Sequence, residues 1–279
     1  MGTAKIHREV ARLPGIDIFY RDSEAEGPAM LCLHGRWGRG ETWVDFMRRY
    51  GDRYRVIAPD LRGHGMSGKP VSSYSGEEMA DDMIALMDRL GVESAVIVGH
   101  SMGGHVAGCL AAAHPSRVRA LAILDKSAGG PASPDPRAPG DIPAVDPVAG
   151  DWPMPFASRV EAEAFLRAAF ESRLGFEYFM NSLVEDVDGY RMMFSARAIS
   201  ANIASYHSWY DSLRRISCPV FLLRSSSHEA VPDDEWEKMR SLLPGCMARE
   251  SSLPDHNVQL SDKEEFYRYF DEFLAAAGL

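Results

Sequence analysis

The sequence predicts an α/β fold, a mostly parallel, doubly wound sheet with a helical insertion late in the chain. Three observations carry this. Met30–Leu33, Ala95–Val98 and Val118–Leu124 are unbroken apolar runs, the pattern of strands covered on both faces. Segments with helical periodicity alternate with them. The alternation stops at a Pro-rich stretch over 127–152 and resumes at Pro219–Leu223.

Taken in order, Ile16–Tyr20 alternates polar and apolar residues, Met30–Leu33 runs into His34-Gly35, and Tyr54–Ala58 runs into Pro59-Asp60. Ser75 stands three residues before Glu78, a capping-box spacing. Met79, Met83, Leu86, Met87 and Leu90 then follow on one helical face, and Gly91 ends the helix. After the Ala95–Val98 strand, Ser101–His114 reads as an Ala- and Gly-rich helix closed by Pro115, and Val118–Leu124 as another strand. The stretch PASPDPRAPGDIPAVDP cannot form a regular element. From Trp152 to Asp211 the pattern is helical. A helix over about 233–243 and a short strand near 246–251 follow Pro219–Leu223. A last helix opens on a second capping pair, Ser261 and Glu264, with Phe266, Tyr269, Phe270, Phe273 and Leu274 on one face. One α/β core with an insertion is expected rather than two independent domains: core over 1–126 and 213–279, insertion over 127–212.

Composition narrows the function. The 279 residues carry 30 Lys+Arg against 40 Asp+Glu, a net charge of -10, which disfavours nucleic acid and anionic membrane surfaces as partners. The cysteines Cys32, Cys109, Cys218 and Cys246 are scattered without a C-x-x-C pair, so neither a disulfide framework nor a zinc site is expected, and a reducing, cytoplasmic setting is. The N-terminal stretch MGTAKIHREVARLPG has no apolar segment of a secretory signal, and Ile6 breaks the myristoylation pattern. No apolar run has the length of a membrane helix.

The chemistry is concentrated at Val98–Gly104, V-G-H-S-M-G-G, which contains G-x-S-x-G as Gly99, Ser101 and Gly103. It follows an apolar strand and opens a helix, the context that gives this otherwise weak pattern its meaning. A nucleophile lifted on a sharp strand-to-helix turn leaves no room for side chains two residues to either side, and the helix N-terminus favours negative charge beside it. With this elbow, His34-Gly35, D-L-R-G-H-G-M-S over Asp60–Ser67, and P-D-H-N-V over Pro254–Val258, the chain resembles the α/β-hydrolases along essentially its whole length. The resemblance implies an α/β-hydrolase core with a helical cap (lid) inserted after the sixth strand. It also implies a serine nucleophile at Ser101, and a base at His256, which stands in the loop before the last helix.

Of the nine histidines, His34, His64 and His100 lie inside backbone motifs, where holding loops together is the expected role. His105 and His114 are expected to be packing or surface residues of the helix after the elbow. His7, His207 and His228 have no positional support, although His207 could line a pocket in the insertion. The triad acid has two candidates. Family members commonly place it after the seventh strand, where His228 occupies the expected slot and Glu229 stands one residue late. Asp125 ends the strand AILD, 24 residues after Ser101, where dehalogenases and some serine hydrolases of this fold carry theirs. Asp125 is favoured, because a one-residue offset turns a side chain away. The oxyanion hole is expected from the backbone N–H groups of Met102 and Arg36. The Arg36 side chain could meet a substrate carboxylate or simply be solvated.

The insertion holds 12 of the chain's 27 aromatic residues within 152–211, enough to pack a lid and leave an apolar pocket wall. The expected activity is a cofactor-free, metal-free serine hydrolase that cleaves an ester, lactone, amide or related acyl bond of a small, partly apolar molecule. Carbon–carbon bond hydrolysis on the same triad is the alternative, and a non-catalytic ligand-binding member of the fold a further one.

Overall fold

The structure is a computed structural model that describes residues 5–279; the Met1-Gly2 start discussed above lies outside the described residues. An eight-stranded sheet runs in the order β1-β2-β4-β3-β5-β6-β9-β10. Its strands are β1 (His7–Leu13), β2 (Ile16–Asp22), β3 (Ala29–Leu33), β4 (Arg55–Pro59), β5 (Ala95–His100), β6 (Val118–Leu124), β9 (Val220–Arg224) and β10 (Met247–Glu250). β2 is antiparallel to both β1 and β4, and every other pairing in this sheet is parallel. The outermost strand β1 carries no apolar alternation. It is an edge strand of sequence HREVARL that buries only Ala11, so charge on the exposed edge hides it from a hydrophobic-pattern reading.

The period of two along each central strand divides the core into two layers. Leu31, Leu33, Ile97, Leu121, Ile123 and Leu222 point to one side, against Met79, Met83 and Leu86 of α2 (Gly76–Arg89) and Val106 and Leu110 of α3 (Met102–Ala113). Met30, Cys32, Val96, Val98, Ala120, Ala122 and Phe221 point to the other. There they meet α1 (Val44–Tyr50) and α10 (Lys263–Ala276). Small strand residues on this second face leave room for a stack of rings, Phe46, Tyr50, Phe266, Phe270 and Phe273. The Ser75 hydroxyl accepts from the Glu78 N–H at 3.2 Å, as its spacing predicts. The α10 cap is one residue later than predicted: Asp262, not Ser261, accepts from the Glu265 N–H at 3.0 Å. Ser261 is instead the end of a one-turn helix, α9 (Val258–Ser261), which hands the chain to α10.

Between β6 and β9 the chain builds α4 (Arg159–Ala169), α5 (Arg173–Met180), a hairpin of β7 (Leu183–Asp186) and β8 (Gly189–Met192), α6 (Ala196–Ser205) and α7 (Tyr210–Leu213). The hairpin departs from the all-helical expectation, since two four-residue arms are too short to show a period of two. Phe156, Leu166, Phe179 and Phe194 form a core separate from both sheet layers. α6 faces the sheet side, where Asn202 Nδ2 donates to the Tyr74 carbonyl at 2.8 Å. α8 (Asp233–Leu242) returns to the sheet through Trp236 and Met239.

Phe270 is fully buried, with ring centroids of Phe46 at 5.3 Å and Tyr50 at 5.5 Å. Phe270→Ala is expected to lower unfolding stability by about 3–5 kcal/mol through lost transfer energy and the cavity left behind. Urea titration of the two proteins measures it, and a loss under about 1 kcal/mol would mean the ring stack does not anchor α10.

Candidate active site

β5 ends at His100, and the chain turns into α3 through Ser101, whose backbone sits at φ 51°, ψ -118°. A side-chain-bearing residue adopts this conformation only when its surroundings enforce it. A Cβ on Gly99 would fall 2.2 Å from the Gly103 carbonyl oxygen, and one on Gly103 would fall 2.3 Å from that of Leu33. Both positions therefore exclude side chains, which is the steric reason for the glycine spacing. The turn is tied to the sheet by the Ser101 N–H, which donates to the Leu124 carbonyl at 2.9 Å.

Ser101, His256 and Asp125 come together from three distant parts of the chain. The Ser101 hydroxyl lies 2.9 Å from His256 Nε2, and His256 Nδ1 donates to Asp125 Oδ2 at 2.7 Å. The other carboxylate oxygen, Oδ1, accepts from the Ser225 N–H at 2.9 Å, and the Asp125 N–H donates to the Leu223 carbonyl at 2.7 Å. Asp125 is buried just past the C-terminal end of β6, with its orientation fixed at both its carboxylate and its backbone. Glu229 borders a shallow recess that Asp125 and His256 also line, but its carboxylate accepts no hydrogen bond among the described residues. His228 takes φ 57° and turns its ring to Glu250 and Asp233.

Other histidines hold the backbone around this trio. His100 Nε2 donates to the His256 carbonyl at 2.8 Å. His34 Nδ1 donates to the Gly35 carbonyl at 2.8 Å while its Nε2 accepts from the Leu61 N–H at 2.9 Å. His64 Nδ1 donates to the Arg62 carbonyl at 3.0 Å. Burial keeps all of them neutral: the pKa of His34 is pushed down to about 4, that of His64 to about 3, and that of His100 well below the ordinary histidine value. His105 is buried against Tyr206 and Trp209 and is lowered to about 3 for the same reason. His207 does not border the cleft at Ser101; it lines a separate recess between α6 and the core. Asp60 organises the D-L-R-G-H-G-M-S loop, a role the motif did not disclose by itself. Fully buried, it accepts from Arg21 Nη1 at 3.0 Å and from the N–H groups of Gly40 at 2.8 Å and Met66 at 2.9 Å.

The loop after β3 borders the same cleft, and the insertion fixes its shape. Tyr178 Oη donates to the Arg36 carbonyl at 3.0 Å, Ser182 Oγ donates to that of Trp37 at 2.7 Å, and Trp37 Nε1 donates to Asp146 at 3.0 Å. Neither the Arg36 nor the Met102 N–H has a hydrogen-bond partner among the described residues. The cleft has a volume of about 320 Å³, and Trp37, Val148, Phe170, Tyr178 and Phe179 give it an apolar wall facing Ser101 and His256. Among the described residues no group of three or more His, Cys, Asp or Glu side chains is placed to hold a metal ion, and no helix is long and apolar enough to cross a membrane.

A family model described as "alpha/beta hydrolase fold" matches residues 28–262. The chain belongs to the α/β-hydrolase fold family. It is 43% identical over 104 residues to an uncharacterised protein of Mycobacterium tuberculosis, covering 37% of this chain and 30% of that one. Over a longer span it is 25% identical to a 2-hydroxy-6-oxononadienedioate/2-hydroxy-6-oxononatrienedioate hydrolase of Burkholderia vietnamiensis, with 92% of this chain and 90% of the relative aligned. The fold also matches the crystal structure of E-2-(acetamidomethylene)succinate hydrolase with a TM-score of 0.81 at 23% identity, over 97% of this chain and 100% of that one. The chain spans about a third of the length of the first curated relatives it matches.

The neutral histidines make stability depend on pH with a definite sign. Each has a folded pKa below the unfolded value of about 6.5, so the unfolded chain binds protons first as pH falls. Their contribution is complete above about pH 6.5 and is lost progressively down to about pH 4 and 3, the folded values of His34 and His64. The slope is at most about 1.4 kcal/mol per pH unit for each histidine. The urea midpoint is expected to fall between pH 7 and pH 5, and a flat midpoint over that interval would contradict the neutral assignment.

Proposed function

We propose that this protein is a cofactor-free serine hydrolase acting on an acyl bond of a small, partly apolar molecule. The observation that carries the reading is the continuous hydrogen-bonded line Asp125–His256–Ser101, at 2.7 and 2.9 Å, opening into an apolar cleft. In the first half-reaction Ser101 Oγ attacks the acyl carbon while its proton passes to His256 Nε2. Asp125 holds the ring in the tautomer with hydrogen on Nδ1 and stabilises the imidazolium that forms. The developing oxyanion is received by the backbone N–H groups of Arg36 and Met102, each worth roughly 3–4 kcal/mol in the transition state. The tetrahedral intermediate collapses, the leaving group departs with the proton from His256, and Ser101 carries the acyl group. Water then attacks that ester, gives its proton to His256, and frees the acid and the Ser101 hydroxyl. Residues 127–212 act as a cap that excludes bulk water and supplies the apolar wall. The acidic net charge supports a small-molecule substrate over nucleic acid, and the four free cysteines support a reducing, cytoplasmic setting.

A second reading is hydrolysis of a carbon–carbon bond by the same trio. The likeness over 92% of the chain to a hydrolase of 2-hydroxy-6-oxo acids favours it. Product analysis separates the two, because cleavage of a carbon–carbon bond releases a new carbon acid in place of an alcohol or amine.

A fluorophosphonate probe is expected to label Ser101 and no other serine. Ser101→Ala and His256→Ala should each lower kcat by roughly four to six orders of magnitude with the fold intact, and a Ser101→Ala protein that kept most of its activity would end the serine mechanism. Asp125→Asn should lower it by roughly four orders, because the amide keeps the shape but loses the charge interaction. Glu229→Gln should stay close to the parent rate. Comparing the last two rates decides the acid, since the reverse order would assign it to Glu229.

A further inference from the structure

The Pro-rich stretch that interrupts the sheet rhythm ends on Asp146-Pro147, and Asp146 is the one charged side chain within 127–212 that is buried among the described residues. Three N–H groups take up its oxygens. Those of Val148 and Ala149 donate to Oδ1, both at 2.8 Å, and the Trp37 indole N–H donates to Oδ2 at 3.0 Å and to Oδ1 at 3.2 Å. The preceding residue is pinned to α6: the Val145 N–H donates to Ser200 Oγ at 2.8 Å, and that hydroxyl donates back to the Val145 carbonyl at 2.7 Å. Across the contact, Trp37 takes φ 65°, which a residue with a side chain keeps only when its surroundings hold it there. Trp37 and Val148 both border the cleft at Ser101. One carboxylate thus fixes two residues of the cleft, one from the loop after β3 and one from the insertion. Arg36, beside Trp37, is engaged elsewhere, its Nε and Nη2 donating to Asn202 Oδ1 at 3.3 and 2.9 Å.

The apolar wall formed by Trp37, Val148, Phe170, Tyr178 and Phe179 carries two polar side-chain atoms, Trp37 Nε1 and Tyr178 Oη. The first is spent on Asp146 and the second on the Arg36 carbonyl. The indole lies 6.2 Å from the Phe179 ring, which in turn stacks on Phe170 at 4.6 Å. What this wall offers a bound molecule is therefore hydrocarbon. A carboxylate is costly to bury unless its hydrogen bonds are made, and Asp146 makes one of them by taking a donor out of the wall. We propose that Asp146 is a positioning residue that sets specificity: by holding the Trp37 indole and the Val148 backbone, it builds the surface that receives an unsubstituted hydrocarbon part of the substrate. The proposal deepens the serine hydrolase reading and, for the place of that hydrocarbon relative to the reacting bond, rests on it.

Two ester pairs test it, one lengthened on the acyl side and one on the leaving-group side. They are 4-nitrophenyl hexanoate against 4-nitrophenyl acetate, and hexyl acetate against ethyl acetate. In at least one pair the longer ester is expected to have a kcat/KM about tenfold above the shorter. Asp146→Asn keeps an acceptor for the Val148 and Ala149 N–H groups but sets an amide NH2 against the indole N–H. Trp37→Phe removes the donor and leaves the carboxylate in place, which matters because the charge of Asp146 also acts on the Arg36 guanidinium. Each variant should bring the ratio to within about twofold of unity, and the double variant should lose no more than either single, since both break one contact. Equal kcat/KM within both pairs, a ratio that either single variant leaves unchanged, or losses that multiply in the double variant overturn the proposal while the serine mechanism stands. If Asp146→Asn does not fold, the ratio in Trp37→Phe decides alone. A second measurement does not depend on turnover. Hexanamide should raise the Tm of Ser101→Ala more than acetamide does, and adding Asp146→Asn should abolish the difference. Equal shifts by the two amides, or a difference that survives Asp146→Asn, overturn the proposal whether or not Ser101 proves to be the nucleophile.

Discussion

The whole site depends on one sterically enforced turn. Ser101 is held at φ 51°, ψ -118° because β5 and α3 meet so closely that Gly99 and Gly103 are in contact range of each other's backbone and of β3. Ordinary residues pay for such a conformation with about 1–3 kcal/mol of strain, so it persists only where packing over-determines it. Here the over-determination comes from the sheet. β3 and β6 flank β5 on both sides, and Leu124 of β6 accepts the Ser101 N–H. The same geometry leaves the Met102 amide, the first of α3, without a hydrogen-bond partner among the described residues.

The second partner of that turn is not built by the sheet alone. Arg36 and Trp37 lie in a loop whose carbonyls are gripped by Tyr178 of α5 and by Ser182 just beyond it. The segment between β6 and β9 thus shapes the floor of the cleft as well as covering it. A displacement of α5 would therefore shift the Arg36 carbonyl and with it the loop that borders the cleft. This coupling gives a reason for the aromatic density of the segment. Phe170 and Phe179 stack at 4.6 Å, and Trp152 packs on both, which fixes α5 by ring geometry rather than by exposed ion pairs.

Much of this was legible in the sequence, for reasons that differ by element. Central strands reveal themselves because burial on both faces demands unbroken apolar runs, and the elbow because only glycine fits at two fixed positions. The edge strand β1 and the hairpin β7–β8 were not read, since the first carries charge instead of alternation and the second has arms of four residues. The trio of Ser101, His256 and Asp125 could be named from spacing and resemblance, but not its closure, because hydrogen bonds across 131 and 155 residues are a property of topology. Asp60 escaped for a further reason. A buried carboxylate that gathers three donors, and a solvated one that gathers none, look alike in one dimension; only the surroundings separate a structural charge from a surface one.

The electrostatics around Ser101 follow from that distinction. Four buried histidines, His34, His64, His100 and His105, are kept neutral by desolvation, and three of them spend ring hydrogen bonds on backbone carbonyls. His256 differs in facing a carboxylate on one side and a hydroxyl on the other, with its side chain partly open to the cleft. An imidazolium on any of the four buried rings would lie without a counter-charge. The fold therefore holds these four rings neutral, and it does so by burial. The histidines buried around the elbow are then neutral rings, three of which hold backbone carbonyls, and His256 stands apart from them through its two side-chain partners.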